Sequence, residues 1–82
     1  MPLSKLKLYD LDGCPYCKMV RDHLFDLGLD YEKVPTPSIR RERHEVFKVS
    51  GQYLVPVLVD GDEVIEDEVK IIRYLNKKYT LR

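Results

Sequence analysis

The stretch Gly13-Cys14-Pro15-Tyr16-Cys17 constrains this chain more than any other. It holds the only two cysteines among 82 residues, at the point where a short apolar run gives way to helical periodicity. A fold built to use them must carry one sulfur at the first turn of a helix and the other one turn later.

Leu6, Leu8 and Tyr9 mark Lys5 to Tyr9 as a strand, buried and central. Asp10 to Gly13 form the turn. Asp12 or Gly13 then serves the helix start, with Pro15 in the first turn, where its missing N–H costs nothing. Cys17, Val20, Leu24 and Leu27 line one face of a helix from Pro15 to Leu27. Gly28 stands where a left-handed cap closes it. Leu29 to Val34 read as a second strand, which gives a right-handed βαβ unit with parallel strands. Pro35-Thr36-Pro37-Ser38 ends that unit.

A second helix is expected from Ile39 to Val49, closing at Ser50-Gly51 with one face solvated. Val55-Pro56-Val57-Leu58-Val59, Asp60-Gly61 and Glu63-Val64-Ile65 spell a hairpin, and Pro56 can only open its strand. The last helix runs from Asp67 to Tyr79, with Val69, Ile71, Ile72, Leu75 and Tyr79 as its apolar stripe. Glu66, Asp67 and Glu68 at its start and Lys77 and Lys78 at its end suit the helix dipole. The order βαβ-α-ββα predicts one α/β domain over residues 1–82, with a four-stranded mixed sheet flanked by helices. That is the thioredoxin-like fold.

Charge and length narrow the function. Fourteen basic residues balance fourteen acidic ones, so the chain has no general electrostatic claim on nucleic acid or anionic membrane. No apolar run reaches membrane-spanning length, and Met1-Pro2-Leu3-Ser4-Lys5 lacks a signal-peptide core. The expectation is a cytoplasmic monomer. There thiols are kept reduced, and two cysteines are too few for a disulfide framework.

Redox chemistry is what remains for the pair. A thiolate attacks a disulfide, and helix-start amides with the dipole behind them stabilise S⁻ at Cys14. Lys18 and Arg21 add positive charge nearby. Cys17, on the buried stripe, waits to displace the product from the mixed disulfide. Pro15 stiffens the turn, and Tyr16 offers an amphipathic wall. The competing reading is half of a zinc site. Structural zinc wants four ligands, and only His23 and His44 are left to complete it. His23 lies further along the same helix and points elsewhere, so no metal is expected and both histidines are read as solvent-facing.

Val55-Pro56 forms the second part of the site. A cis bond there would turn the Val55 backbone outward to pair with a substrate; without the cysteine motif it reads as an edge-strand proline. Asp60, Asp62, Glu63, Glu66, Asp67 and Glu68 are a charged turn plus helix-start acids, or else hold an amino group. Arg40, Arg41, Arg43 and Lys48 read as a solvated face, or as a contact for a carboxylate or partner.

Cys14-Pro15-Tyr16-Cys17 together with Val55-Pro56 resembles the dithiol glutaredoxins over nearly the whole chain. The segment Val55 to Gly61 and on through Ile71, Ile72, Tyr74 and Leu75 is also similar to the N-terminal domain of glutathione transferases. The resemblance implies a thiol-disulfide oxidoreductase with Cys14 as nucleophile and Cys17 as resolving thiol. Pro15, Tyr16, Val55, Pro56, Asp67 and Glu68 would form the glutathione or substrate wall. No cofactor is bound permanently. Glutathione, another low-molecular-weight thiol, or a thioredoxin-reductase-like enzyme would supply electrons for disulfide-containing proteins. The alternatives are a module that holds an iron–sulfur cluster between two copies through Cys14, or one that binds glutathione without turnover. Transferase-like domains grip the γ-glutamyl group with Glu-Ser where this chain has Asp67-Glu68. Asp67 can pair with the ammonium there, and Glu68 puts negative charge where the carboxylate would sit.

Overall fold

Alternation in Leu6-Lys7-Leu8-Tyr9 sends leucines to one side of a strand and Tyr9 to the other, and both sides find a covering. The computed structural model describes residues 6–79; Lys5, expected to begin the first strand, lies outside them. The elements are β1 (Leu6–Asp10), α1 (Pro15–Asp26), β2 (Glu32–Pro35), a 3₁₀ turn (Arg40–Glu42), α2 (His44–Ser50), β3 (Val57–Asp60), β4 (Glu63–Glu66) and α3 (Glu68–Tyr79).

The sheet order is β2-β1-β3-β4. β1 runs parallel to β2 and antiparallel to β3, and β3 and β4 form the hairpin. Strand β1 is therefore central, as its apolar run requires. On one face Leu6, Leu8 and Leu58 meet Val20 and Leu24 of α1 and Ile71 and Leu75 of α3 in a closed core. Each such side chain, fully withdrawn from water, contributes about 2 kcal/mol. On the other face Tyr9, Val57 and Val46 of the short α2 form a smaller cluster. That is the thioredoxin-like arrangement.

Most ends shift by a residue or two, with β3 starting at Val57 just after Pro56, and two differences are larger. Strand β2 begins at Glu32 rather than Leu29 and includes Pro35, which pairs with Asp10. It is an edge strand, so a proline removes no inner ladder bond, while Leu29 and Tyr31 pack against the core instead. The helix expected from Ile39 is broken at Arg43 (φ −85, ψ 65), between the 3₁₀ turn and α2. Arg43 is buried rather than solvated. It donates to the carbonyls of Pro37 (2.7 Å), Tyr53 (3.1 Å) and Ser38 (3.2 Å), tying the proline loop to the chain that follows α2. Gly28 (φ 68) and Gly51 (φ 80) end α1 and α2 in the left-handed region, where a Cβ would be strained.

Candidate redox site

The turn after β1 delivers Cys14 to the N-cap of α1 in an extended conformation, with Pro15 inside the first turn. The Cys14 amide donates to Leu11 O at 3.2 Å, and its carbonyl accepts from Lys18 N at 3.0 Å. The side chain is half-buried and makes no capping hydrogen bond to the helix amides. Cys17, one turn on, is fully buried like Val20 and Leu24 of the same helix, and both thiols are free. Burial pushes the Cys17 thiol up to about 12. A backbone hydrogen bond with Leu11 opposes that rise, and the neighbouring Cys14 and the charge of Asp10 reinforce it. The pair is thus asymmetric: one reachable sulfur, and one held protonated behind it.

The cations expected beside the thiols are otherwise engaged. Lys18 pairs with Asp22 at 2.8 Å on the helix surface. Arg21 reaches Asp10 at 2.5 Å, a carboxylate with a fully buried side chain at the end of β1. Lys33 of β2 bridges Asp10 (3.5 Å) and Asp12 (3.1 Å), bracing the loop that carries Cys14.

Beside this turn lies a cavity of about 310 Å³ lined by Tyr16, Gln52, Leu54, Val55, Pro56, Glu66, Asp67 and Glu68. The Val55–Pro56 bond is cis, as the sequence context suggested. Asp67 precedes α3 at φ 80, a left-handed conformation that aspartate tolerates better than most residues. It caps the helix, with Lys70 N donating to its Oδ2 at 3.4 Å and Ile71 N to its carbonyl at 2.9 Å. Of the expected site residues, Tyr16, Val55, Pro56, Asp67 and Glu68 meet at this one cavity, while Cys14, Pro15 and Cys17 do not line it. Gln52, Leu54 and Glu66 line it too, and the sequence singled out only Glu66 as part of an acidic run. Gln52 carried no signal, since its role is local: it accepts from Leu54 N, and its amide donates to Leu54 O (3.0 Å) and Ser50 Oγ (3.0 Å).

The two histidines stand apart from the cysteines. His23 shares a 2.7 Å hydrogen bond with Asn76 of α3 rather than facing water alone. Among the described residues no three His, Cys, Asp or Glu side chains are grouped to hold a metal ion, and no helix is long and apolar enough to cross a membrane.

Residues 8–82 match the glutathione S-transferase N-terminal domain family. The chain belongs to that family. It is 40% identical over 78 residues to glutathione S-transferase Z1 of Arabidopsis thaliana, a match covering 93% of this chain and 35% of the relative. It is 31% identical over 61 residues to an uncharacterized glutaredoxin-like 8.6 kDa protein of Clostridium pasteurianum, covering 73% of this chain and 81% of that one. A glutathione transferase homologue of Drosophila mojavensis, solved with bound glutathione, superposes with a TM-score of 0.84 at 35% identity, over 94% of this chain and 36% of the other. Both likenesses read from the motifs are found: the transferase N-terminal domain by the family match and the higher identities, and a glutaredoxin-like protein beside it. This transferase-type domain spans about a third of the length of the curated transferases it matches.

Proposed function

We propose that this domain is a glutathione-linked thiol–disulfide oxidoreductase working by a dithiol mechanism. The observation that supports it best is the asymmetry of the cysteines: Cys14 half-buried at the N-cap of α1, and Cys17 sealed beneath it with its thiol raised to about 12. In the first step the Cys14 thiolate attacks one sulfur of a substrate disulfide. A mixed disulfide forms and the other half leaves as a thiolate. Bonding at Cys14 removes the neighbouring group that helped to keep Cys17 protonated. Cys17 then gives up its proton and attacks the Cys14 sulfur. The second substrate thiol leaves, and a Cys14–Cys17 disulfide holds the two electron equivalents of oxidation. Two molecules of glutathione, or of another small thiol, reduce the pair again and leave as their disulfide.

The cavity along Tyr16, Val55, Pro56, Asp67 and Glu68 is the place for the small thiol. Its size suits such a ligand, and a related transferase fold has been solved with glutathione bound. The Val55 backbone is suited to pair with the peptide-like part of that molecule. Disulfide-bearing proteins are the corresponding larger substrates.

Turnover of a glutathione mixed disulfide, followed for the unmodified chain, Cys14→Ser and Cys17→Ser, tests the assignment. Cys14→Ser is expected to abolish turnover. Cys17→Ser is expected to keep turnover of the small mixed disulfide, where glutathione itself releases the product, and to lose reduction of protein disulfides. Full activity in Cys14→Ser would overturn the mechanism. Glutathione S-transferase activity, as in the relatives' names, is measured on the same samples, and activity of that kind surviving both substitutions would move the chain to the transferase reaction.

A further inference from the structure

The cavity beside the cysteines has an uneven stock of polar groups, and that imbalance bears on which thiol it accepts. Three of its eight lining residues are the carboxylates Glu66, Asp67 and Glu68, and none is basic. Among the described residues none of the three is ion-paired. Several of the donors near it are already used within the fold. Asp67 N donates to Pro56 O at 3.4 Å, and Lys70 N donates to Asp67 Oδ2. The Gln52 amide is spent on Leu54 and Ser50, and Leu54 N donates back to Gln52 Oε1. A helix start ordinarily attracts negative charge, yet here α3 begins with its own acids in that place. The only charges on the cavity's lining are negative, so it favours a ligand that brings positive charge.

Resting on the oxidoreductase reading above, we infer that the cavity favours low-molecular-weight disulfides carrying ammonium groups over those carrying carboxylates, with Glu66 and Glu68 setting the preference. Glutathione, with two carboxylates and one ammonium, then sits low in the ranking, and an amino-thiol with no carboxylate sits high. The reaction on such a substrate balances without an added reductant in a single turnover. Cys14 takes one half of the disulfide and expels the other as a thiol, Cys17 expels the second half, and the protein is left with one disulfide.

The test uses pre-reduced protein and three disulfides of similar size: cystamine (two ammoniums), bis(2-hydroxyethyl) disulfide (neutral) and 3,3′-dithiodipropionate (two carboxylates). Each second-order rate is divided by the rate of the same disulfide with dithiothreitol, which removes intrinsic reactivity. The corrected rate for cystamine is expected to exceed that for dithiodipropionate by about tenfold at low salt, and the gap to shrink at high salt. In a Glu66→Gln, Glu68→Gln double variant the ratio of cystamine to the neutral disulfide is expected to fall toward one. Equal corrected rates for all three disulfides, or a ratio unchanged by the double variant, would overturn the inference and leave the oxidoreductase reading standing. No reduction of any of the three would overturn both.

Discussion

Asp10 closes β1 at the end of the sheet that carries the cysteines, and Asp60 closes β3 at the opposite end, where it pairs with Leu6. Both side chains are fully buried, and each keeps one oxygen without a hydrogen bond, Oδ2 in Asp10 and Oδ1 in Asp60. Their partners differ in kind. Asp60 Oδ2 accepts from the hydroxyls of Tyr74 and Tyr79, each at 2.7 Å, and from Lys78 at 3.1 Å, all on α3. Asp10 is held by cations alone: Arg21 of α1, and Lys33 of β2, which it shares with Asp12. Tyrosine rings packed on the core cannot swing away as a lysine can, so Asp60 locks the end of α3 to the sheet. Asp10 instead holds a fixed negative charge beside Cys17, with partners that can partly turn to water. One buried carboxylate serves the fold, and its counterpart serves the electrostatics of the thiols.

The contrast predicts its largest effect at Asp60. Asp60→Ala leaves two hydroxyls and an ammonium without their shared acceptor and is expected to cost about 3 kcal/mol. Asp10→Ala is expected to cost roughly half as much, because Arg21 and Lys33 can rehydrate. Urea unfolding with unchanged m-values measures both, and the reverse order would break the comparison. The pH dependence sharpens it. Burial pushes the Asp60 carboxyl up, but the bonds from Tyr74, Tyr79 and Lys78 outweigh this and hold it below the usual 3.8. Its contribution is therefore complete above 3.8 and is lost as the pH falls through the lower native value. Asp60→Asn is expected to flatten that acid limb.

A smaller change is expected from one hydroxyl. Tyr79→Phe removes a single bond to a charged acceptor, and about 1.5 kcal/mol should be lost. Burial, and then Asp60, raises the Tyr79 hydroxyl above its usual 10.0. The stability it adds is present below 10.0 and disappears as the pH rises past the native value. Melting temperatures followed from neutral to alkaline pH should converge for the two proteins, and parallel curves would argue that the hydroxyl does not bond Asp60.

Much of this was readable from the chain because local signals agreed with the global fold. Alternation in β1, the three-and-four spacing in α1, Asp60-Gly61 in the hairpin and the cysteine turn all point to one architecture. What escaped was the fate of individual charges. Asp60 reads as half of a turn, because its acceptors' partners lie 14 to 19 residues away on α3. Tyr74, Lys78 and Tyr79 do fall on one helical face, a pattern that could have announced a shared acceptor. Arg43 reads as one of four surface cations, and only the folded proline loop presents the three carbonyls that draw it inside. Lys18 and Arg21 read as helpers of the thiolate, yet carboxylates on their own helix and on β1 claim them. Charges are legible as a count, while their pairing depends on distances that exist only after folding.

The smallest expected effect is also the one that separates the two aspartates most cleanly. In a Cys14→Ser background Cys17 is the sole thiol, so its alkylation rate against pH reports on it alone. Asp10 adds to the rise of the Cys17 thiol through its negative charge, the last and weakest of the influences on it. Asp10→Asn should therefore lower the midpoint of that curve by about 0.3 pH unit. Asp60→Asn in the same background should leave the midpoint in place, since its carboxylate sits at the far end of the sheet. Asp60→Asn is the control, because a destabilised domain that opens more often exposes a thiol of ordinary pKa and moves the curve with no electrostatic change at Cys17. Equal shifts from both substitutions would mean that the thiol senses overall stability, and the division of labour between the two ends of the sheet would fall.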